Sequence, residues 1–136
     1  MRCAVLDDYQ GVALSFADWG PLAGRVEPVI FREPFADEDE AAKALAGFEI
    51  ILAMRERTPF PESLLARLPD LRLLVTTGMR NAAIDVPAAR ARGVTVCGTR
   101  GDKNSTVEVA WGLILNLMRK VSAESQRFRQ GLWQGS

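Results

Sequence analysis

The sequence predicts an α/β domain: a flavodoxin-like, doubly wound parallel five-stranded sheet of order 2-1-3-4-5, followed by a long interface helix. Three observations carry this. Five short apolar runs are spaced along the chain, and helical stretches with their own start and stop signals separate them. The runs are continuous rather than alternating, the pattern of parallel strands covered on both faces.

Taken in order, Arg2 to Leu6 reads as the first buried strand and Arg25 to Phe31 as the second. Between them Tyr9 to Trp19 is a weaker helical candidate, with apolar Val12, Leu14, Phe16 and Trp19. Asp37 with Glu40 resembles a capping box opening a helix through Ala46, and Gly47 suits its stop. Glu49 to Met54 is the clearest strand. Pro61 fits the first turn of a helix Glu62 to Leu68. Leu71 to Thr76 gives the fourth strand. Asp85 caps a helix Val86 to Arg92 closed by Gly93, and Val94 to Cys97 completes the sheet. Ser105-Thr106-Val107-Glu108 is a capping box opening about four turns of helix to near Val121, with Arg119 and Lys120 at the negative end of its dipole. That helix is apolar on more than one face, so it is expected to be buried on two sides, by its own domain and by a second domain or subunit.

Composition narrows the function. The chain has 136 residues, enough for one domain with a real core, and 17 basic residues balance 17 acidic ones. Zero net charge argues against a nucleic-acid surface. No apolar run approaches the roughly 18 residues that span a membrane, and the N-terminal run is too short for a signal peptide. Two separated cysteines, Cys3 and Cys97, offer no metal spacing and fit a reducing, cytoplasmic setting. The chain contains no histidine, which removes serine–histidine triads, histidine-bound metals and histidine acid–base catalysis from its repertoire. No catalytic residue and no metal site is therefore assigned.

In open parallel sheets ligands bind beyond the carboxyl ends of the strands. After the third strand stands Met54-Arg55-Glu56-Arg57-Thr58-Pro59. A guanidinium fork there suits a carboxylate, although the same residues also read as a solvated charge cluster partly neutralised by Glu56. After the fourth stands Thr76-Thr77-Gly78-Met79-Arg80-Asn81, where Gly78 permits a tight turn and close approach of backbone N–H groups to a small acid. A plain strand-to-helix turn has the same sequence. The loop Gly98 to Asn104 precedes a helix N-terminus, as anion sites do. It carries no phosphate fingerprint, and a linker is the safer reading. Asp7 and Asp8 follow the first strand, as the metal-binding acids of a phosphorylated receiver do. The receiver's acceptor aspartate is missing, since the third strand ends Ala53-Met54-Arg55. A flavodoxin phosphate loop is likewise absent from Asp7 to Gly11.

Several of these segments together resemble the D-isomer-specific 2-hydroxyacid dehydrogenase family. Members carry a Gly-x-Gly-x-Asp-Asn-Ile-Asp-like loop after the fourth strand, then Arg-Gly-Val-x-Val, then Ser/Pro-Thr-Ala-Glu opening a long helix. Here these read Thr77-Gly78-Met79-Arg80-Asn81-Ala82-Ala83-Ile84-Asp85, Ala91-Arg92-Gly93-Val94-Thr95-Val96 and Ser105-Thr106-Val107-Glu108. Arg55-x-Arg57-Thr58 and Gly131-x-Trp133 match as well. Arg80 stands where many members have glycine, suggesting a distinct substrate preference, and Val107 replaces the usual alanine. The resemblance implies a two-domain enzyme that transfers a hydride between NAD or NADP and a small D-2-hydroxyacid or 2-oxoacid. It implies that the backbone at Gly78 and Met79 holds the substrate carboxylate with Arg55, and that Arg57 is a second candidate. It also implies that Thr106 approaches the nicotinamide, and that the helix Ser105 to Val121 forms a homodimer contact. Residues 1–99 would be the substrate-binding domain, and 100–136 a linker and first helix of a dinucleotide-binding domain otherwise absent. The family's catalytic histidine, its glutamate partner, its substrate-orienting arginine and its glycine fingerprint map onto no residue of this chain. The chain alone is expected to be inactive and to bind no cofactor. The alternative is a non-enzymatic dimerising or regulatory module of the same fold. A reading frame continuing into Gly-x-Gly-x-x-Gly would mark the enzyme.

Overall fold

A computed structural model describes residues 1–101 and 104–133, which separate into two compact units divided after Gly101. In the first unit, strands β1 (Arg2–Val5), β2 (Glu27–Ile30), β3 (Ile50–Ala53), β4 (Leu73–Thr76) and β5 (Thr95–Gly98) form one sheet. Every pairing is parallel and the order is β2-β1-β3-β4-β5, the predicted topology. Helices α1 (Glu38–Leu45), α2 (Glu62–Leu65) and α3 (Val86–Ala91) connect the last four strands.

Strand burial alternates: in β3 and β4 every second residue is buried and the others are half-buried. The buried set, Ala4, Leu6, Ile51, Ala53 and Leu74, shares one core with Ala42 and Leu45 of α1, Leu64 and Leu65 of α2, and Ala89 of α3. Right-handed crossovers explain this one-sidedness. From β2 through β5 the chain steps across the sheet in one direction, so the three helices fall on one face. Only the β1–β2 connection runs the other way.

That connection departs from expectation. Tyr9 to Trp19 forms turns rather than a helix, followed by a single 3-10 turn, Gly20–Leu22. The Asp8 carboxylate accepts from the Val12 and Ala13 N–H groups, at 3.0 Å each, fixing a tight loop where a helix would begin. As a result Leu52, Leu73 and Val75 on the second face are only half-buried, and the sheet is not covered equally on both sides. Cys3 and Val5 of the interior strand β1 are buried all the same.

Local signals worked as read at two helix starts. Asp37 accepts from Glu40 N–H at 2.8 Å while Glu40 reaches back to Ala36 N–H, and Asp85 caps α3 through Ala88 N–H. α2 is shorter than predicted. β5 sits one residue later than Val94 to Cys97.

The second unit is helical: α4 (Asn104–Arg119) and α5 (Val121–Arg129). α4 begins one residue before Ser105, so Ser105 lies in the first turn rather than ahead of it. It ends before Val121 because Lys120 adopts a left-handed conformation, φ 53°. Asn116 then accepts from both the backbone N–H and the hydroxyl of Ser122, opening the α5 that the sequence did not announce. No described residue of α4 is buried.

Candidate functional site at the carboxyl ends of the strands

Three neighbouring strands end in the same way. Asp7, Arg55 and Gly78 each lie two residues beyond the end of β1, β3 and β4, and each has positive φ: 58°, 52° and 111°. For the two non-glycine residues such backbone costs on the order of 1–3 kcal/mol and persists only when surrounding contacts over-determine it. Those contacts are present. Arg55 N–H donates to Thr77 Oγ1 at 3.0 Å, and Asn81 Nδ2 donates to the Arg55 carbonyl and to Thr76 Oγ1. The loop after β4 thus holds the backbone of the loop after β3. A parallel bridge between Phe60 and Ile84 ties the same two loops further out.

The Arg55 side chain lies over the β4 turn. Its Nη1 is 3.0 Å from where a Cβ on Gly78 would stand, and its Nη2 is 4.0 Å from the same point on Gly101. Glycine at 78 therefore answers two demands, φ near +111° and room for the guanidinium. The floor of the turn is equally tight: a Cβ on Gly98 would fall 2.6 Å from the Gly78 carbonyl oxygen. Gly78 N–H donates to Thr99 Oγ1 at 3.0 Å, so one of the two expected carboxylate donors is engaged within the protein. Among the described residues Met79 N–H has no hydrogen-bond partner, and its side chain is exposed.

Arg57 goes elsewhere. Its guanidinium stacks on the Tyr9 ring, 4.5 Å from the centroid. Beneath it the buried Thr58 hydroxyl donates to the buried Asp7 carboxylate at 2.9 Å, joining the loops after β1 and β3. A cavity of about 270 Å³ opens beside Arg57, lined also by Phe35, Asp37, Pro59 and Leu64. A second, of about 350 Å³, lies along Met79, Arg80, Asn81 and Gly98.

The acids of this edge have structural duties. The Ala13 and Val12 N–H groups lower the Asp8 carboxyl below its ordinary value. Asp37 and Asp85 cap helices, and Asp7 accepts from Thr58. Among the described residues neither Arg55 nor Arg57 has an ion pair.

Of the residues singled out in the sequence, Arg55, Gly78 and Met79 come together, Arg57 diverges from them, and Thr106 lies in the first turn of α4 in the second unit. Sequence reasoning passed over Tyr9, Asn81, Gly98 and Thr99 as contributors. Only the glycine closing β5 offered a signal, since glycine in a strand marks close backbone approach. No glycine-rich dinucleotide turn occurs in this sequence. Among the described residues no group of His, Cys, Asp or Glu could hold a metal ion, and no helix is long and apolar enough to cross a membrane.

An open, all-parallel sheet of order β2-β1-β3-β4-β5 defines the class: a doubly wound α/β domain. Residues 5–127 match the family described as D-isomer specific 2-hydroxyacid dehydrogenase, catalytic domain, and the chain belongs to that family. It is 33% identical over 99 residues to a glycerate dehydrogenase of Methylorubrum extorquens, covering 72% of this chain and 31% of that protein. It is 30% identical over 101 residues to a D-3-phosphoglycerate dehydrogenase of Mycobacterium tuberculosis, covering 74% of this chain and 19% of that one. Among solved structures, a phosphoglycerate oxidoreductase from Vibrio cholerae superposes with a TM-score of 0.78 and 35% identity, over 99% of this chain and 42% of the other. The chain thus spans less than a third of the length of these curated relatives.

Proposed function

We propose that this chain is the acid-binding part of a D-2-hydroxyacid dehydrogenase: it grips the carboxylate of a small 2-oxoacid or 2-hydroxyacid and orients it, without moving a proton. The observation that carries the reading is the convergence of the Arg55 guanidinium on the Gly78–Met79 turn. A guanidinium without an ion pair and a backbone N–H without a partner are the two donors that a carboxylate requires. Thr99 Oγ1 already accepts from Gly78 N–H, where one ligand oxygen would sit, so binding exchanges one oxygen acceptor for another.

Residues 1–99 are read as the substrate-binding domain, and 100–136 as the linker and first helix of a dinucleotide-binding domain. In the whole enzyme NAD or NADP would exchange a hydride with C2 of the acid. This segment supplies position, an effect that by itself lowers a barrier by several kcal/mol when geometry is right, on the order of 7 or more. With no histidine the chain alone is inactive. The apolar, unburied α4 supports a homodimer through Ser105 to Val121, with Thr106 facing the nicotinamide in the assembled enzyme. A cytoplasmic location fits the free thiols Cys3 and Cys97.

Calorimetry with glyoxylate, pyruvate and hydroxypyruvate tests this. Binding that is lost in Arg55→Ala, with no NADH oxidation by the chain alone, is the expected outcome. Binding indifferent to Arg55, or turnover by the isolated chain, overturns it.

A further inference from the structure

Arg55 is exposed and has φ 52°, a backbone conformation that an arginine does not favour by itself. Its two backbone polar groups are both held by the neighbouring loop. The Arg55 N–H donates to Thr77 Oγ1 at 3.0 Å, and the Arg55 carbonyl accepts from Asn81 Nδ2. These contacts lie on opposite sides of the Arg55 Cα, so together they restrain φ and ψ. The carbonyl side depends on one side chain, that of Asn81.

The Asn81 amide is anchored for that task. Its Nδ2 also donates to Thr76 Oγ1 at 2.9 Å, on the buried last residue of β4. Its Oδ1 accepts from Ala83 N–H at 2.9 Å within its own loop. A carbonyl oxygen only accepts, so the Arg55 carbonyl dictates which end of the amide faces it. An amide nitrogen has two hydrogens, and both are taken here, which leaves Asn81 no donor for a ligand carboxylate. Its influence on an acid must therefore pass through the residues it holds.

We propose that Asn81 is a positioning residue of the acid grip: its side-chain amide locks the Arg55 backbone in the left-handed conformation and so aims the guanidinium over the Gly78–Met79 turn. This rests on the acid-binding reading above. Without the amide, Arg55 relaxes toward ordinary backbone angles, and its side chain leaves Gly78. The charge is then still present but no longer pre-organised, and the acid must bear the cost of ordering it.

The test uses the full 136-residue chain with two substitutions at Asn81. Asn81→Ala removes the whole amide. Asn81→Asp keeps an oxygen for Ala83 N–H and removes only the two donors. Asp37→Ala, which deletes the α1 cap, is the control for a general loss of stability. Two quantities are read: pyruvate affinity by calorimetry, and the NMR cross-relaxation between the Arg55 Hδ and Gly78 Hα protons without ligand. The second is expected in the unaltered chain, because Arg55 Cδ lies 3.8 Å from where a Gly78 Cβ would stand. Both Asn81 variants should lose the cross-relaxation and bind pyruvate about tenfold more weakly, most of the value of a hydrogen bond to a charged group. Asp37→Ala should keep both. Cross-relaxation that persists in Asn81→Ala, or pyruvate affinity unchanged in that variant, overturns the proposal and leaves the Arg55 reading standing. So does an equal loss in Asp37→Ala, which would make the effect one of stability alone. Pyruvate binding that is absent from the unaltered chain, or indifferent to Arg55→Ala, overturns the acid-binding reading and the proposal with it.

Discussion

Gly98 passes so close to Gly78 that a methyl group on it would stand 2.6 Å from the Gly78 carbonyl oxygen. The contact is backbone against backbone, so neither side can yield by rotating a side chain. The turn that offers Met79 N–H is thereby set by the strand beside it. Gly98→Ala is expected to cost about 1–3 kcal/mol of stability through overpacking. It should also weaken acid binding, because the β4 turn must move. Thermal unfolding and calorimetry on the same variant check both effects.

Arg55 should show opposite signs for stability and function. Its φ of 52° is unfavourable for any residue with a Cβ, and its guanidinium has no ion pair among the described residues. Arg55→Gly relieves the backbone and should raise stability by up to about 1 kcal/mol. The same change should lower affinity for a 2-oxoacid about tenfold or more. Denaturant unfolding measures the first and titration calorimetry the second.

Thr58 and Asp7 are both buried and joined by a 2.9 Å hydrogen bond. Thr58→Val keeps the volume but removes the donor, and should destabilise by about 1–3 kcal/mol. Thr58→Ser keeps the donor and should recover most of that in the same unfolding measurement.

Asp8 gives the β1–β2 loop a pH dependence. Hydrogen bonds from Ala13 and Val12 N–H lower its carboxyl below the ordinary value. A depressed carboxyl stabilises the loop above its unfolded value, near 4, and that contribution fades as pH falls through the lower folded value. Protection of the Val12 and Ala13 amides, taken relative to their intrinsic exchange rates, should be higher at about pH 5 than in the acid range, where it should fall. Asp8→Asn should remove the acid-induced change.

The two thiols should react at very different rates. Burial pushes Cys3 up to about 11, whereas Cys97 is exposed on β5. At pH 8 one thiol per chain should react promptly with a disulfide reagent and the second only on unfolding. Because the folded Cys3 value is raised, its contribution to stability is intact below about pH 9 and declines as pH rises toward 11. Cys3→Ala should flatten the alkaline limb of the unfolding curve.

The sheet was legible because its five apolar runs and the caps at Asp37 and Asp85 are local signals, and right-handed crossovers leave few topologies. Two elements were not legible. The Asp8 carboxylate competes for backbone N–H groups where Tyr9 to Trp19 looked helical, and Lys120 in a left-handed conformation cuts the long helix short of Val121. At the site, Gly78 and Met79 follow from their place at a strand end, but the divergence of Arg55 and Arg57 does not. Each direction is set by a partner far away in sequence: Gly78, Thr77 and Asn81 for one, Tyr9 for the other. Spacing along a chain carries no information about such partners.

A crystal structure of the chain with the pyruvate analogue oxamate is the most direct test. Its carboxylate oxygens are expected about 3 Å from Met79 N–H and the Arg55 guanidinium. Thr99 Oγ1 should be displaced from Gly78 N–H. Oxamate seated at any other edge of the sheet, or at the crevice with Arg55 turned into solvent, would contradict the assignment of these residues as the acid grip.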